Sequence, residues 1–166
     1  SCVERYVELS GTDIKKLPNV ETPFLDESNF GFEEWERDNK VVPDNTLQSI
    51  AAKVLMKVLY GARMCRSYLL RATCGLARKI TKWDRTCDKQ LHRLMAYINS
   101  TLDVKMHSWV GDDFKSLRAN LFCDADFAGD NATMRSTTGI FLSLVGPNSK
   151  VALSGTSKKQ DCVSHS

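Results

Sequence analysis

The hydrophobic pattern divides the chain into a helical stretch and a later stretch of strand-like alternation. Across residues 46–62, apolar residues recur at spacings of three and four, which predicts an amphipathic helix. A second helix is predicted over residues 67–82. Asp84 is a suitable N-cap for a third helix, because its carboxylate can accept from free first-turn amides. The residues expected to face inward on that third helix are Cys87, Leu91, Leu94, Met95 and Ile98.

From residue 106 onward the pattern favours strands. Residues 117–127 and 137–145 are rich in apolar and β-branched side chains, and residues 151–157 form a third such run. Gly146-Pro147-Asn148-Ser149 is typical of a tight turn between the last two runs. The sequence therefore predicts an α+β chain, with amphipathic helices followed by a three-stranded antiparallel meander.

Residues 123–130 carry the clearest candidate chemistry, reading Cys-Asp-Ala-Asp-Phe-Ala-Gly-Asp. The period of two in a strand places Asp124 and Asp126 on one face. Carboxylate oxygens at a strand end suit a hard cation such as Mg²⁺. The alternative for Asp126 and Asp130 is turn chemistry, since Asp and Asn side chains hydrogen-bond to their own backbone.

The net charge of +3 conceals an uneven distribution. Residues 1–49 carry a net charge of −6, whereas residues 50–95 carry eleven bases against two acids, a net of +9. Such a stretch is typical of binding to a phosphate backbone, although solvated helix faces give the same count. On the third helix, three bases recur every fourth residue and predict a basic stripe opposite the core. The candidate nucleic-acid contacts in this region are Arg78, Lys82, Arg85, Lys89 and Arg93.

Several functional classes receive no support from the composition. No apolar run approaches the ~20 residues of a membrane span, and no signal-like start is present, which predicts a cytoplasmic or nuclear protein. The six cysteines show no zinc-ligand spacing and are expected to be reduced thiols, several of them buried. Residues 25–45 are acidic and rich in turn formers, which indicates a linker.

Three separated motifs resemble the ribonuclease H domain of copia-type retrotransposon Pol polyproteins. That family reads roughly Asp-Ala-Asp-Trp-Ala-Gly-Asp, then Lys-Ser-Thr-Ser-Gly-Tyr, then Ser-Lys-Lys-Gln. Here the first motif begins at Asp124, the second at Arg135 and the third at Ser157. The chain departs from the family at Gly155, where the family usually has Trp, and we expect poorer packing there.

The resemblance implies a role for individual residues. Asp124 would be the first catalytic aspartate and a ligand of Mg²⁺, with Asp126 and Asp130 as weaker claimants. The implied partner is an RNA–DNA hybrid, whose backbone would be held by three bases: Arg135, Lys158 and Lys159. A solvated strand end is the alternative for those three.

The resemblance also implies an organisation of the chain. Residues 1–24 would be the end of a reverse transcriptase, 25–45 an acidic linker, 46–104 a helical connecting region and 105–166 the first half of a ribonuclease H-like domain. The family's polymerase motif and its other catalytic carboxylates do not occur in the sequence. We therefore expect a piece of a Pol polyprotein that acts with the remainder and is inactive alone. The alternatives are a non-catalytic nucleic-acid-binding helical module and a structural or interaction protein.

Overall fold

The computed structural model describes residues 1–24, 47–126 and 135–162. Four α-helices are present in these ranges. They are α1 (Cys2–Ser10), α2 (Gln48–Met64), α3 (Leu70–Arg78) and α4 (Arg85–Ser100). The predicted linker 25–45 and Asp130 lie outside the described residues.

Three strands follow the helices: β1 (Arg118–Ala125), β2 (Thr137–Gly146) and β3 (Ser149–Lys159). They form one antiparallel sheet in the order β1-β2-β3. The coarse fold prediction of helices followed by a three-stranded antiparallel meander is therefore confirmed. The run at residues 106–110 forms only an isolated bridge, between Trp109 and Lys150.

The chain divides into two compact units. The first contains residues 1–61 and 71–104, and the second contains residues 62–70 and 105–166. The core of the first unit is mainly apolar and comes from α1, α2, α3 and α4. Its large buried apolar and aromatic side chains include Val3, Tyr6, Val54, Leu55, Val58, Leu91, Leu94 and Met95.

Local signals set the helix ends as the sequence indicates. Ser1 and Glu4 form a capping box at the start of α1, and Gly11 ends it in the left-handed region at a φ of 69°. The Asp84 side chain accepts from the amide of Cys87 at 2.8 Å, which confirms the predicted cap of α4. The predicted second helix is interrupted, because residues 67–69 and 80–82 are 3₁₀ turns on either side of α3.

In the second unit, the turn after α2 packs directly on β3. A Cβ built on Gly155 would lie 2.7 Å from the Cβ of Ser67, which is closer than real Cβ atoms approach. The neighbouring turn therefore occupies the space that a side chain at position 155 would need, and the expectation of poorer packing than in the family stays a prediction.

Candidate functional site

The site begins at the end of β1, where Asp124 lies opposite Gly139 of β2. Gly139 in turn lies opposite Ser157 of β3. The next row is Ala125, Thr138 and Lys158. These rows belong to one end of the sheet, and Gly139 places no side chain between Asp124 on β1 and Ser157 on β3.

All three motifs of the resemblance meet at this end of the sheet. The amide of Asp126 donates to the carbonyl of Thr137 at 3.2 Å, which joins the first motif to the second. The amide of Gln160 donates to the carbonyl of Ser136 at 2.8 Å, which joins the second to the third. The Gln160 side chain also donates to the Thr138 hydroxyl at 2.8 Å. Stretches far apart in sequence therefore form a single hydrogen-bonded cluster.

The two described aspartates of the site differ in what engages them. Both lie on one face of the sheet by strand parity. The carboxylate of Asp126 accepts from the amide of Thr137 and so closes the strand end. Asp124 is exposed, and within residues 47–126 and 135–162 no hydrogen bond or ion pair engages its carboxylate. Asp124 is therefore the aspartate available to an external ligand.

The bases near the strand end are divided between the two faces. Lys159 lies opposite Thr137 and shares the face of Asp124 and Asp126, whereas Lys158 points to the other face. Lys158 is exposed, and Lys159 and Arg135 are half-buried. One bound backbone on the Asp124 face could therefore contact Lys159 but not Lys158.

The described residues do not fit a complete two-metal centre. Paired Mg²⁺ ions need several oxygen ligands to satisfy their charge. Among residues 1–24, 47–126 and 135–162, no group of three metal-ligating side chains gathers. Asp124 could supply one oxygen ligand to such an ion.

The basic stripe predicted on α4 is wrong for two of its three members. Arg85 is exposed, but Lys89 and Arg93 are only 4% and 8% exposed. The guanidinium of Arg93 donates to the Thr22 carbonyl at 3.1 Å and to its hydroxyl at 2.9 Å. The physical reason is that α4 is buried on all sides from Cys87 to Ala96, so it has no solvated face there.

Burial also acts on the protonation of Arg93, whose pKa it lowers. Arg78 and Lys82 are exposed, as a phosphate contact requires. Of the five bases proposed on the helices, Arg78, Lys82 and Arg85 therefore remain accessible. Lys89 and Arg93 belong to the interior of the first unit.

A buried polar centre in the first unit was missed by the sequence reasoning. Asp88 is fully buried, and its Oδ1 accepts from the indole nitrogen of Trp83 at 2.6 Å and from the amide of Leu47 at 3.3 Å. One turn further along α4, Nδ1 of His92 lies 2.9 Å from the hydroxyl of Tyr6. The spacing of four between Asp88 and His92 was the available signal, since it places both on one stripe of the helix.

Desolvation shifts the pKa values of Tyr6 and His92. It raises the pKa of Tyr6 to about 12 and lowers the pKa of His92 below its usual 6.5. On the same helix, burial raises the pKa of Cys87 to about 11, so its thiol stays protonated near neutral pH. Tyr6, His92 and Cys87 are consequently neutral near pH 7, which favours a structural role for these three over acid–base chemistry.

The cysteines match the sequence expectation in part. No disulfide joins any of the six, but only Cys87 is buried. Cys65, Cys123 and Cys162 are exposed. The prediction that several are buried is wrong, because the strand carrying Cys123 is open to solvent along most of its length.

Comparison of the chain with protein-family models, with curated proteins and with solved structures gives no match. Within the described ranges, no helix combines the length and apolar character needed to cross a membrane.

Proposed function

We propose that this chain is a segment of a copia-type Pol polyprotein and that residues 105–166 are the first half of its ribonuclease H-like domain. The observation that carries the proposal is the meeting of the three motifs at one end of the sheet. Asp124, Gly139 and Ser157 each come from a different motif and stand in one cross-strand row. The three motifs therefore have a common location in the fold, as a shared site requires.

In this proposal Asp124 is the first catalytic aspartate of the complete domain. Its carboxylate is exposed and unengaged among the described residues, whereas that of Asp126 is held by Thr137. The complete domain would bind Mg²⁺ and cleave the RNA strand of an RNA–DNA hybrid. Cleavage is assigned to the whole protein, because one unengaged carboxylate does not hold two divalent ions.

The helical region would bind the phosphate backbone of the same nucleic acid. Support comes from the net charge of +9 over residues 50–95 and from the exposure of Arg78, Lys82 and Arg85. These features equally support the second candidate function, a non-catalytic nucleic-acid-binding module. The first candidate function predicts hybrid cleavage that depends on Asp124, whereas the second predicts hybrid binding without cleavage.

The experiment that tests the proposal measures hybrid cleavage by the protein translated from the complete reading frame. Asp124→Asn removes the charge of the carboxylate but keeps its size, and should abolish Mg²⁺-dependent cleavage while hybrid binding persists. Asp126→Asn is the matched control, because an amide oxygen can still accept from Thr137, and it should retain most of the activity. Equal cleavage by the wild type and Asp124→Asn would refute the catalytic assignment.

The second candidate function, a nucleic-acid-binding module, is tested by the salt dependence of its affinity for a hybrid. Each phosphate contact releases counterions, so affinity for a hybrid should fall by orders of magnitude between about 50 and 200 mM salt. Replacing Arg78, Lys82 and Arg85 with Gln should flatten that dependence. An affinity that does not change with salt concentration would favour a structural or interaction protein instead.

A further inference from the structure

The turn between α3 and α4 carries an exposed hydroxyl beside several bases. Helix α3 ends at Arg78, and residues 80–82 form a 3₁₀ turn before Asp84 caps α4. Thr81 lies at the centre of that turn, and its side chain is exposed. Among the described residues, no hydrogen bond or ion pair engages its hydroxyl. The first unit therefore presents this hydroxyl to other molecules.

The sequence before Thr81 is unlike that before any other serine or threonine of the chain. Arg78 stands three residues before it and Lys79 two residues before it. No other serine or threonine in the 166 residues has a base at both of these positions. Protein kinases select substrates by charge pattern, and a kinase with an acidic substrate groove favours bases shortly upstream of the hydroxyl. Thr81 has the pattern that such a kinase recognises.

The structure around Thr81 is also short-range. The amide of Lys82 donates to the carbonyl of Lys79 at 2.9 Å, a bond within the turn itself. Arg78 and Lys82 are exposed and Lys79 is half-buried. Local opening of a turn of this kind costs much less than unfolding a buried helix or strand. The segment can therefore enter a kinase cleft while Trp83, held by Asp88, keeps the start of α4 in place.

We propose that Thr81 is a phosphorylation site for a kinase that recognises upstream bases, and that its phosphate prevents this turn from binding nucleic acid. The second half rests on the proposed function, in which exposed bases of the helical region bind a phosphate backbone. In the reaction, Oγ1 of Thr81 attacks the γ-phosphorus of ATP, the bond from that phosphorus to the β-phosphate oxygen breaks, and ADP leaves. The hydroxyl proton passes to the catalytic carboxylate of the kinase.

The effect on binding follows from charge. A phosphothreonine carries about −1.5 to −2 charges near neutral pH and three strong acceptor oxygens. Arg78 precedes Thr81 by about one turn and Lys82 is its neighbour, so the new phosphate lies close to both bases along the chain. The charge of the cluster Arg78, Lys82 and Arg85 falls from +3 to about +1. A nucleic-acid phosphate then meets a like charge and bases that are already engaged.

The first part of the test measures phosphate incorporation into the full chain. The probe is the catalytic subunit of cyclic-AMP-dependent protein kinase with ATP, and the readout is the mass of the intact chain and of its peptides. One phosphate should appear on Thr81, and Thr81→Ala should remove it. Ser108 is the matched control, because it is exposed and has Lys105 three residues before it but Met106 two residues before it. Ser108→Ala should leave incorporation unchanged.

A charge variant tests how Thr81 is recognised. Arg78→Gln/Lys79→Gln removes both upstream bases and should slow incorporation by about tenfold or more. Absence of phosphate on Thr81 in the wild type would overturn the proposal. Incorporation into Arg78→Gln/Lys79→Gln at the wild-type rate would overturn recognition through the upstream bases.

The second part of the test measures the affinity of the phosphorylated full chain for an RNA–DNA hybrid. At about 100 mM salt, the phosphorylated chain should bind about tenfold or more weakly than the untreated chain. Its salt dependence should also be smaller by about two phosphate contacts. Thr81→Ala treated with the kinase should bind like untreated wild type, and circular dichroism checks that the helices persist. Equal affinities of the phosphorylated and untreated chains would overturn the effect on binding.

The two parts separate failure of this proposal from failure of the proposed function. An untreated chain that does not bind the hybrid would refute nucleic-acid binding, and with it the effect of the phosphate on binding. Phosphate on Thr81 would still support the modification site, because its mass is measured without nucleic acid. A hybrid that binds with strong salt dependence but equally well to both forms would leave the proposed function intact and refute only the effect of phosphorylation.

Discussion

The hydroxyl of Tyr6 on α1 lies 2.9 Å from Nδ1 of His92 on α4, although 86 positions separate them in sequence. Both side chains are buried. The contact ties the first helix to the central helix of its unit. It is also the point at which the stability of the first unit should respond to pH.

The first prediction concerns the pH dependence of that stability. Burial lowers the pKa of His92, so the unfolded chain binds a proton more readily than the folded chain. The free energy of unfolding should therefore fall as the pH drops through about 6.5, the unfolded value, toward the lower folded pKa. In His92→Gln this part of the dependence should disappear, as measured by urea unfolding from pH 7.5 to pH 5.

Tyr6→Phe is the control for that prediction. It removes the hydrogen bond but leaves His92 buried and titratable. Stability at pH 7 should fall by about 1 kcal/mol, while the decline toward acid pH remains. If His92→Gln showed the same decline as the wild type, the buried imidazole would not be its source.

The second prediction concerns Asp88. Asp88→Ala leaves the indole of Trp83 and the amide of Leu47 without their acceptor inside the fold. A buried donor that loses its partner is costly, so the free energy of unfolding should fall by about 2–4 kcal/mol. Asp88→Asn keeps an acceptor oxygen and should cost distinctly less. Denaturant unfolding followed by Trp fluorescence measures both, and equal stability of Asp88→Ala and wild type would contradict the assignment.

The third prediction concerns the contact between Gly155 and Ser67. Gly155→Ala forces a methyl group to within 2.7 Å of the Ser67 Cβ, so it should destabilise the second unit by about 1–3 kcal/mol. Ser67→Gly removes the opposing atom, and the double variant should recover most of the loss. A double-mutant cycle by thermal unfolding checks this, and additive effects would show that the two positions do not touch.

The fourth prediction concerns Asp112, which holds the turn between β2 and β3. Its carboxylate accepts from the backbone amide of Asn148 at 2.8 Å and from the side-chain amide at 3.2 Å. Hydrogen bonding, first with Ser149 and then with Asn148, lowers the pKa of Asp112 below 3.8. A lowered carboxyl pKa stabilises the fold above the unfolded value, and this stability is lost as the pH falls below about 3.8.

Replacing Asp112 tests the direction of this pH dependence of stability. Asp112→Ala should destabilise the hairpin at pH 7, and the difference from wild type should shrink as the pH falls below 4. Amide exchange of Asn148, followed by NMR, reports on this turn directly. An exchange rate for Asn148 that is unchanged by the substitution would contradict the proposed anchor.

Rules that depend on neighbouring residues in the sequence predicted where helices and turns begin and end. They were less successful in predicting what surrounds an individual side chain in the fold. The cap at Asp84 and the turn at Pro147-Asn148 could be predicted, because each depends on a few neighbouring residues. The burial of Lys89 and Arg93 could not, because periodicity assigns one face of a helix to the core. Helix α4 is enclosed on every face over part of its length, and that depends on the rest of the fold.

The site at the end of β1 was also predictable only in part from the sequence. Strand parity was enough to set Asp124 and Asp126 on one face. It could not show that the carboxylate of Asp126 holds Thr137, because that bond depends on the register between β1 and β2. The tight approach at Gly155 was likewise hidden, since Ser67 lies on a distant turn.

The measurement that tests the central claim most directly is the sequence of the transcript on both sides of this segment. A segment of a working Pol polyprotein predicts one continuous frame with paired aspartates of a polymerase upstream. Downstream it predicts a helix of the type Ser-Thr-x-Glu-Ala-Glu, which brings the next carboxylate to Asp124. A stop codon soon after Ser166, with no polymerase motif upstream, would contradict it.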